Sequence, residues 1–245
     1  MEKQKLSEIE TNIINWYDFK ENSSILQIGI ESNEIVNYLN SKTEKYVVAY
    51  DKDEEKLLLD EDMQKKATKI SKLKNKNEFD YVCLIGTLGL YNKEEKAYKK
   101  LQELLKIMKN NCKEDGTIIL VIDNKYAMKN WTSIYANKNI LCNDKSNLSK
   151  TMIEELLDKE NLYNRKFYYA LPDYKVCNVI FTDDYLPTLE NISRDFTCAG
   201  DEFVNFNETE AYQEIIKEDV KLFPFFANTY FVEINKNYLK LKQIL

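Results

Sequence analysis

Residues 24–30, SILQIGI, form a short apolar run that ends around a glycine. A run of this kind, without the polar alternation of a half-exposed strand, predicts a buried β-strand followed by a tight turn. Three later runs have the same character: Tyr46–Asp51 (YVVAYD), Phe79–Gly86 (FDYVCLIG) and Thr117–Asp123 (TIILVID). We therefore predict a core of buried strands.

The segments outside these strands have apolar residues at helical spacing. Leu6, Ile9, Ile13 and Tyr17 predict an amphipathic helix over residues 5–19, and helices are also expected over 54–65, around 98–108 and after the cap Ser149. Residue Ile70 marks a weak third strand, and Asp115-Gly116 a turn. Arg165–Leu171 and Thr229–Ile234 predict the last two strands. Strands that alternate with helices favour an α/β fold with a mostly parallel sheet covered on both faces.

The late part of the chain departs from this regular pattern. All three prolines, at positions 172, 187 and 224, fall within residues 172–227, which are rich in aromatic residues and too long for an ordinary connection. A chain of 245 residues suits one domain. We predict a single domain over residues 1–245, with 172–227 as an insertion between the last two strands that acts as a lid or substrate wall.

Composition excludes several classes of function. The net charge of −6 disfavours broad nucleic-acid binding. Because the chain has no histidine, a Ser-His-Asp triad, a Cys-His pair and a His-ligated metal are excluded. The five cysteines form no C-x-x-C pair, so no metal site is predicted. No apolar leader or membrane-spanning run is present, which favours a soluble cytoplasmic protein.

Three of the five glycines follow predicted strands. Gly29 follows the first strand, and Gly86 and Gly89 follow the strand 79–86. Ligands of open parallel sheets bind at the carboxyl ends of strands, and Asp51 at the end of the second strand is placed to bind ribose hydroxyls. The alternative is that these glycines only close tight turns.

Four stretches carry a resemblance to a known family: Phe79–Tyr91 (FDYVCLIGTLGLY), Ile119–Trp131 (ILVIDNKYAMKNW), Phe167–Pro187 (FYYALPDYKVCNVIFTDDYLP) and Leu222–Ile234 (LFPFFANTYFVEI). They resemble class I methyltransferases dependent on S-adenosylmethionine (SAM) in bacterial surface-glycan pathways, which are often fused to or encoded beside glycosyltransferases. The resemblance implies a Rossmann-like fold with a seven-stranded sheet, SAM as cofactor, and a sugar or glycan-linked acceptor.

The resemblance also implies site residues. Those expected at the cofactor are Gln27, Gly29, Glu31, Asp51 and Gly86. Asp123 or Asn124 would orient the substrate as the catalytic pair, and Tyr91, Asp173 and Tyr174 would line the acceptor pocket. Purely structural roles remain open, since Asn124 can cap a loop and Tyr174 can pack the insertion.

The loop after the first strand departs from the family's acid-x-Gly-x-Gly-x-Gly pattern. The acid is replaced by Gln27, the second and third glycines by Glu31 and Asn33, and Glu34 adds a carboxylate. The family's acid-His element between Trp131 and Ser149 is missing as well. Binding of SAM is therefore expected to be weak or lost. Two functions stay open: a glycan methyltransferase, or a catalytically silent partner of a glycosyltransferase or an active methyltransferase.

Overall fold

A computed structural model describes residues 9–86, 94–132, 147–192 and 206–236. Its strands are β1 Ser24–Ile28, β2 Lys45–Tyr50, β3 Thr68–Lys69, β4 Phe79–Ile85, β5 Cys112–Asp123, β6 Arg165–Leu171, β7 Val179–Thr182 and β8 Thr229–Asn235. Its helices are α1 Asn12–Asn15, α2 Asn33–Ser41, α3 Asp53–Lys56, α4 Glu61–Lys66, α5 Glu94–Asn111, α6 Met128–Thr132, α7 Lys150–Lys159, α8 Leu189–Ile192, α9 Phe206–Asp219 and α10 Phe223–Phe226, with 3₁₀ turns at Ile70–Lys72 and Val220–Leu222.

The strands form one mixed sheet in the order β3-β2-β1-β4-β5-β8-β6-β7. Strands β1 to β5 run parallel to one another, whereas β8 is antiparallel to β5 and β6. The predicted mostly parallel α/β sheet is therefore confirmed, but its seven strands are corrected to eight. The added strand β7 pairs antiparallel with β6 at the edge. Its four residues, VIFT, are strand formers and are only partly buried apart from Phe181, but so short a run carries little periodic signal.

Side chains from the two faces of the sheet belong to two separate hydrophobic cores. All five residues of β1 are buried, and Leu26 and Ile28 pack on one face while Ile25 packs on the other. Helix α5 contributes Leu101 and Leu105 to the first core. Full burial of each such side chain stabilises the fold by about 1.5–3 kcal/mol. The predicted covering of both faces is confirmed.

Three local predictions differ in detail from the structure. The helix expected over 54–65 is two helices, α3 and α4, because the Asp60 carboxylate accepts a hydrogen bond of 2.9 Å from the Met63 amide and starts a new helix. Ile70 begins a 3₁₀ turn directly after the short strand β3. Asp115 and Gly116 lie inside β5, whose pairing with β4 is irregular between Phe79 and Tyr81. A Cβ at Gly116 would lie 2.8 Å from the Asp80 carbonyl oxygen, so this position requires glycine.

The described parts of 172–227 are built into the fold. Phe181, Tyr212 and Phe223 are nearly inaccessible and belong to the same core as the central strands. This region therefore contributes to the main core as well as to the edge of the site. No helix among the described residues has the length and apolar character needed to cross a bilayer.

Candidate cofactor and substrate site

Three predicted residues meet at the carboxyl ends of neighbouring strands. Gly29 follows β1, Asp51 follows β2, and Gly86 follows β4. Gly29 and Gly86 have φ values of 78° and 72°, which favour glycine. Their amides donate hydrogen bonds to the carbonyls of Ala49 at 2.7 Å and Val121 at 2.9 Å, so each turn is tied to a neighbouring strand.

Gln27 supports the turn after β1 from within. Its side chain is fully buried, its Nε2 donates to the Gly29 carbonyl at 3.0 Å, and its Oε1 accepts from the Tyr46 hydroxyl at 2.6 Å. Burial raises the pKa of Tyr46, which keeps this hydroxyl a donor. The Gln27 amide therefore ties the turn after β1, through Gly29, to strand β2, through Tyr46.

The Glu31 side chain lies directly over Gly86. A Cβ at Gly86 would lie 3.0 Å from both Cγ and Cδ of Glu31, and 2.7 Å from Cε2 of Tyr174. The Tyr174 hydroxyl donates to Glu31 Oε1 at 2.8 Å, and Lys175 Nζ lies 3.1 Å from the same oxygen. Burial and the Glu31 charge both raise the pKa of Tyr174. Two predicted site residues, from the cofactor loop and the acceptor wall, thus contact each other. We call this the Glu31–Tyr174 contact.

Little space remains beside this contact. A cavity of about 80 Å³ is lined by Glu10, Glu31, Ser32, Ile35, Tyr174 and Lys175. Burial and the neighbouring Glu34 raise the pKa of Glu10, while a hydrogen bond from Ser32 opposes the shift. The carboxylates make this end of the cleft acidic, and Lys175 neutralises only part of that charge.

Asp51 is paired with a residue that the sequence reasoning missed. Lys100 Nζ, on α5, lies 2.7 Å from Asp51 Oδ2, and the side chains are 19% and 36% exposed. The nearby Glu55 is buried and accepts hydrogen bonds from the amides of Asp51 and Lys52. Burial raises the pKa of Glu55. The sequence gives no signal for Lys100, which is one of many lysines on a solvated helix face.

A second cluster lies at the carboxyl end of β5. Lys129 Nζ is 3.1 Å from Asp123 Oδ1 and 3.6 Å from Asp173 Oδ2, which joins a predicted catalytic residue to a predicted substrate residue. The Thr229 hydroxyl also donates to Asp123 at 2.6 Å. Burial opposes the charge of Lys129, but the two carboxylates outweigh it and raise its pKa. The sequence reasoning did not single out Lys129. We call Lys129, Asp123 and Asp173 the Lys129 cluster.

The Asn124 side chain is surrounded by backbone groups to which it is hydrogen-bonded. It is fully buried, and its Nδ2 donates to the carbonyls of Phe225 at 2.7 Å and Ala227 at 2.8 Å. Its Oδ1 accepts from the Tyr126 amide at 3.0 Å. The Nδ2 bonds hold the segment before β8 against the end of β5, and the Oδ1 bond caps the loop that follows β5. We therefore infer no substrate contact for Asn124, and the loop-capping alternative fits its environment better.

Asn228 extends this buried network. Its Nδ2 donates to the Pro172 carbonyl at 2.7 Å and to Glu208, and its Oδ1 accepts from the Lys129 amide and the Tyr212 hydroxyl. Burial raises the pKa of Glu208, with the Asn228 bond and Lys129 opposing the shift. The network fixes α6 and α9 around the Lys129 cluster.

Tyr91 lies outside the described residues. Within the described ranges, no group of His, Cys, Asp or Glu side chains could hold a metal.

Solved structures share this fold. A SAM-dependent methyltransferase of Thermotoga maritima superposes with a TM-score of 0.55 at 10% identity, over 96% of this chain and 95% of that one. The chain has the class I methyltransferase fold. Its sheet matches that fold with one added antiparallel edge strand.

Two further solved methyltransferase structures are similar to this chain in fold. One belongs to a Haloferax volcanii complex that contains the Trm112 methyltransferase activator (TM-score 0.51, 11% identity, 96% of this chain and 92% of that one). The other is phosphoethanolamine N-methyltransferase 2 of Haemonchus contortus bound to SAM (0.51, 14%, 95% of this chain and 52% of that one). No protein-family profile and no curated sequence matches the chain. At these identities the likeness shows the fold alone.

Proposed function

We propose that this chain is a catalytically silent methyltransferase-fold protein of the surface-glycan type, which acts as a partner of a glycosyltransferase or an active methyltransferase. One observation carries the proposal: the Glu31 side chain lies over Gly86 and is held there by Tyr174 and Lys175. The cavity beside this contact, lined in part by Glu31 and Tyr174, measures only about 80 Å³. Among the described residues, the Glu31 and Tyr174 side chains cover Gly86, the position at which the backbone would otherwise be open to SAM.

Electrostatics support the same conclusion. Glu31 is only 18% exposed, and its carboxylate occupies the end of the cleft at which the cofactor would bring a carboxylate of its own. Two like charges at about 4 Å repel by on the order of 1 kcal/mol in water and more where solvent is excluded. At the other end, Lys100 already neutralises Asp51, the residue expected to bind ribose.

The backbone of the loop is not strained by the missing glycines. Within residues 27–34 only Gly29 has a positive φ, and Asn33 is the first residue of α2, capped by Ser32. Glu31 therefore fits its position without distortion, and its side chain is a stable part of the closed cleft. We infer that cofactor binding is weak or lost through occupation of the site and not through a misfolded loop.

A partner role has a parallel among the structural neighbours. The Haloferax volcanii complex joins a methyltransferase with its activator, so protein association is one use of proteins with this fold. The exposed aromatic side chains Trp131 and Phe225, each more than a third accessible, offer apolar surface close to the Lys129 cluster. They support an interaction surface on the acceptor side of the domain.

One observation favours a second candidate, a working methyltransferase that acts on a sugar or glycan-linked group. The Lys129 cluster keeps Asp123 and Asp173 about one quarter exposed at the carboxyl end of the sheet, where they could orient an acceptor hydroxyl. Methyl transfer from a sulfonium needs chiefly positioning and a deprotonated nucleophile. In this case Glu31 would have to leave Gly86 when SAM binds.

Titration calorimetry separates the two candidates. Wild-type protein is titrated with SAM and with S-adenosylhomocysteine, and the Asp51→Ala variant serves as the site control. We expect no measurable heat of binding up to about millimolar ligand, which corresponds to a binding free energy weaker than about −4 kcal/mol. Low-micromolar binding that disappears in Asp51→Ala would overturn the silent-partner proposal and support the enzyme.

A further inference from the structure

A groove of about 380 Å³ opens away from the cofactor cleft. Its floor is the outer part of the sheet, with Tyr168 on β6 and Ile180 and Thr182 on β7. Its wall is the N-terminal helical segment, with Asn12 and Trp16. None of its lining residues also lines the small cavity beside Glu31, so the groove is a separate site.

The groove is electrically neutral. None of its nine lining residues is charged, although charged residues make up 31% of the chain. The nearby Glu233 carboxylate is used by its own neighbours, since Tyr17 and Tyr168 both donate hydroxyl hydrogen bonds to it at 3.0 Å. A ligand that relies on ion pairs, such as a nucleotide or a charged peptide, finds no partner in this lining.

The Trp16 ring is held rigidly at the edge of the groove. It packs against Tyr168 and Phe231 with ring centroids 5.0 Å and 4.9 Å apart, and its indole nitrogen donates to the Ile13 carbonyl at 2.8 Å. The side chain nevertheless remains 38% exposed. A fixed aromatic surface beside a cavity offers contact area at a low cost in conformational entropy.

Side-chain amides surround this ring. Asn12 donates to the Cys177 carbonyl at 3.0 Å and accepts from Asn15 at 3.2 Å, which orients both amides. Asn15 and Asn178 are exposed and line the same groove. An amide carries both donors and acceptors, as does a sugar hydroxyl, so amides pair with hydroxyl groups in either direction.

We propose that this groove binds a neutral saccharide of one or two rings. The apolar face of a sugar ring would lie on Trp16, and its hydroxyls would bond to Asn15, Asn178 and Thr182. The volume of about 380 Å³ falls in the range of small-molecule sites. A purely apolar ligand would leave the amides without partners, at a cost of about 1–3 kcal/mol for each group that is buried. The groove shares no residue with the cofactor cleft, so this proposal holds whether or not SAM binds.

Nuclear magnetic resonance on the full chain tests the proposal directly. The protein has two tryptophans, so the indole N–H signals of Trp16 and Trp131 report separately on the groove and on a surface outside its lining. The two side chains are equally exposed, at 38%. Maltose, lactose and N,N′-diacetylchitobiose are the neutral probes, with glucuronic acid as the charged probe and glycerol as the probe without a ring.

We expect a saturable shift of the Trp16 signal with at least one neutral disaccharide, a dissociation constant of about a millimolar, and little change at Trp131. Asn15→Ala combined with Asn178→Ala should weaken binding about tenfold while the rest of the spectrum is preserved, because two hydrogen bonds are lost at an exposed surface. The matched control Trp131→Phe should bind as the wild type does.

Four results with these probes and variants, and a fifth with a peptide, would overturn the proposal. These are no saturable shift with any neutral disaccharide, equal shifts with glycerol, tighter binding of glucuronic acid than of the neutral sugars, or unchanged affinity in the double asparagine variant. Saturable binding of an uncharged extended peptide along the edge strand β7, with no response to sugars, would also overturn it and assign the groove to peptide recognition.

Discussion

The Tyr174 hydroxyl donates a hydrogen bond of 2.8 Å to the Glu31 carboxylate across 143 positions of sequence. The bond connects the loop after β1 to the segment after β6, and both side chains cover Gly86. One residue comes from the expected cofactor loop and the other from the expected acceptor wall. Both side chains thus cover Gly86, and removal of their contact is the most direct way to examine the proposed function.

Glu31→Ala should increase the affinity for S-adenosylhomocysteine. The change removes the side chain that lies 3.0 Å from the Gly86 Cβ position, together with a carboxylate that is only 18% exposed. Titration calorimetry measures the effect, and relief of about 1–2 kcal/mol of steric and charge repulsion corresponds to roughly a five- to thirtyfold gain. Glu34→Ala is the matched control, since it removes a carboxylate of the same loop that does not lie over Gly86. Equal affinity in all three proteins would show that Glu31 is not what limits binding.

Tyr174→Phe should lower the free energy of unfolding by about 1–2 kcal/mol. The ring is buried, and the change removes a hydrogen bond to a charged group while Lys175 still pairs with Glu31. Urea denaturation provides the measurement. Tyr163→Phe also removes a hydroxyl, but one that bonds Asn161 on the exposed surface, and it should change stability by less than about 0.5 kcal/mol. If the two variants are equally stable, the Glu31–Tyr174 contact does not hold the cleft closed.

Asn124→Ala should destabilise the fold strongly. The fully buried Asn124 side chain bonds three backbone groups: the carbonyls of Phe225 and Ala227 and the amide of Tyr126. The change removes all three bonds, and only the Phe225 carbonyl keeps another side-chain donor, the Tyr230 hydroxyl. We expect a loss of about 2–4 kcal/mol in urea denaturation. Asn37→Ala, at an exposed position of α2, should be neutral or slightly stabilising. A fully stable Asn124→Ala protein would return Asn124 to the candidates for substrate contact.

Glu208→Gln should change how stability depends on pH. Burial raises the pKa of Glu208 above its ordinary value of 4.5, so the native state binds this proton more tightly than the unfolded state does. Its contribution to stability is therefore complete below about pH 4.5 and decreases as the pH rises through the native pKa. A glutamine side chain does not titrate, so only the wild type loses this contribution. The free energy of unfolding of the variant should therefore increase relative to that of the wild type as the pH rises above about 4.5.

Urea denaturation across this pH range measures the difference. Glu210→Gln changes an exposed carboxylate on the same helix and should give a curve parallel to that of the wild type. A difference between Glu208→Gln and wild type that stays constant with pH would contradict the role assigned to burial of Glu208.

Much of the fold follows from local pattern. The runs at β1, β2, β4 and β5 are apolar because both of their faces are buried, and such runs are visible in the sequence without knowledge of any contact. The positive φ of Gly29 and Gly86 likewise follows from the residue type and from the position after a strand. The break between α3 and α4 and the edge strand β7 were missed, because short elements carry little periodic signal.

The candidate site was only partly predictable. The sequence predicted that Gly29, Asp51 and Gly86 lie at one edge of the sheet, because the carboxyl ends of parallel strands share that edge. It could not find Lys100 and Lys129, whose partners are 49 and 6 positions away and whose residue type is abundant in this chain. A lysine near a carboxylate in space leaves no trace in a single sequence.

The sequence by itself determined the buried strands, their alternation with helices, the absence of histidine chemistry and the carboxylate at position 31. Only the tertiary structure decided what that carboxylate does. Whether Glu31 points into solvent or over Gly86 depends on Tyr174 and Lys175, which chain folding brings from far along the sequence. Burial pattern is a local property of side chains, whereas occupation of a cleft is set by long-range packing and by the pairing of charges in a partly desolvated space.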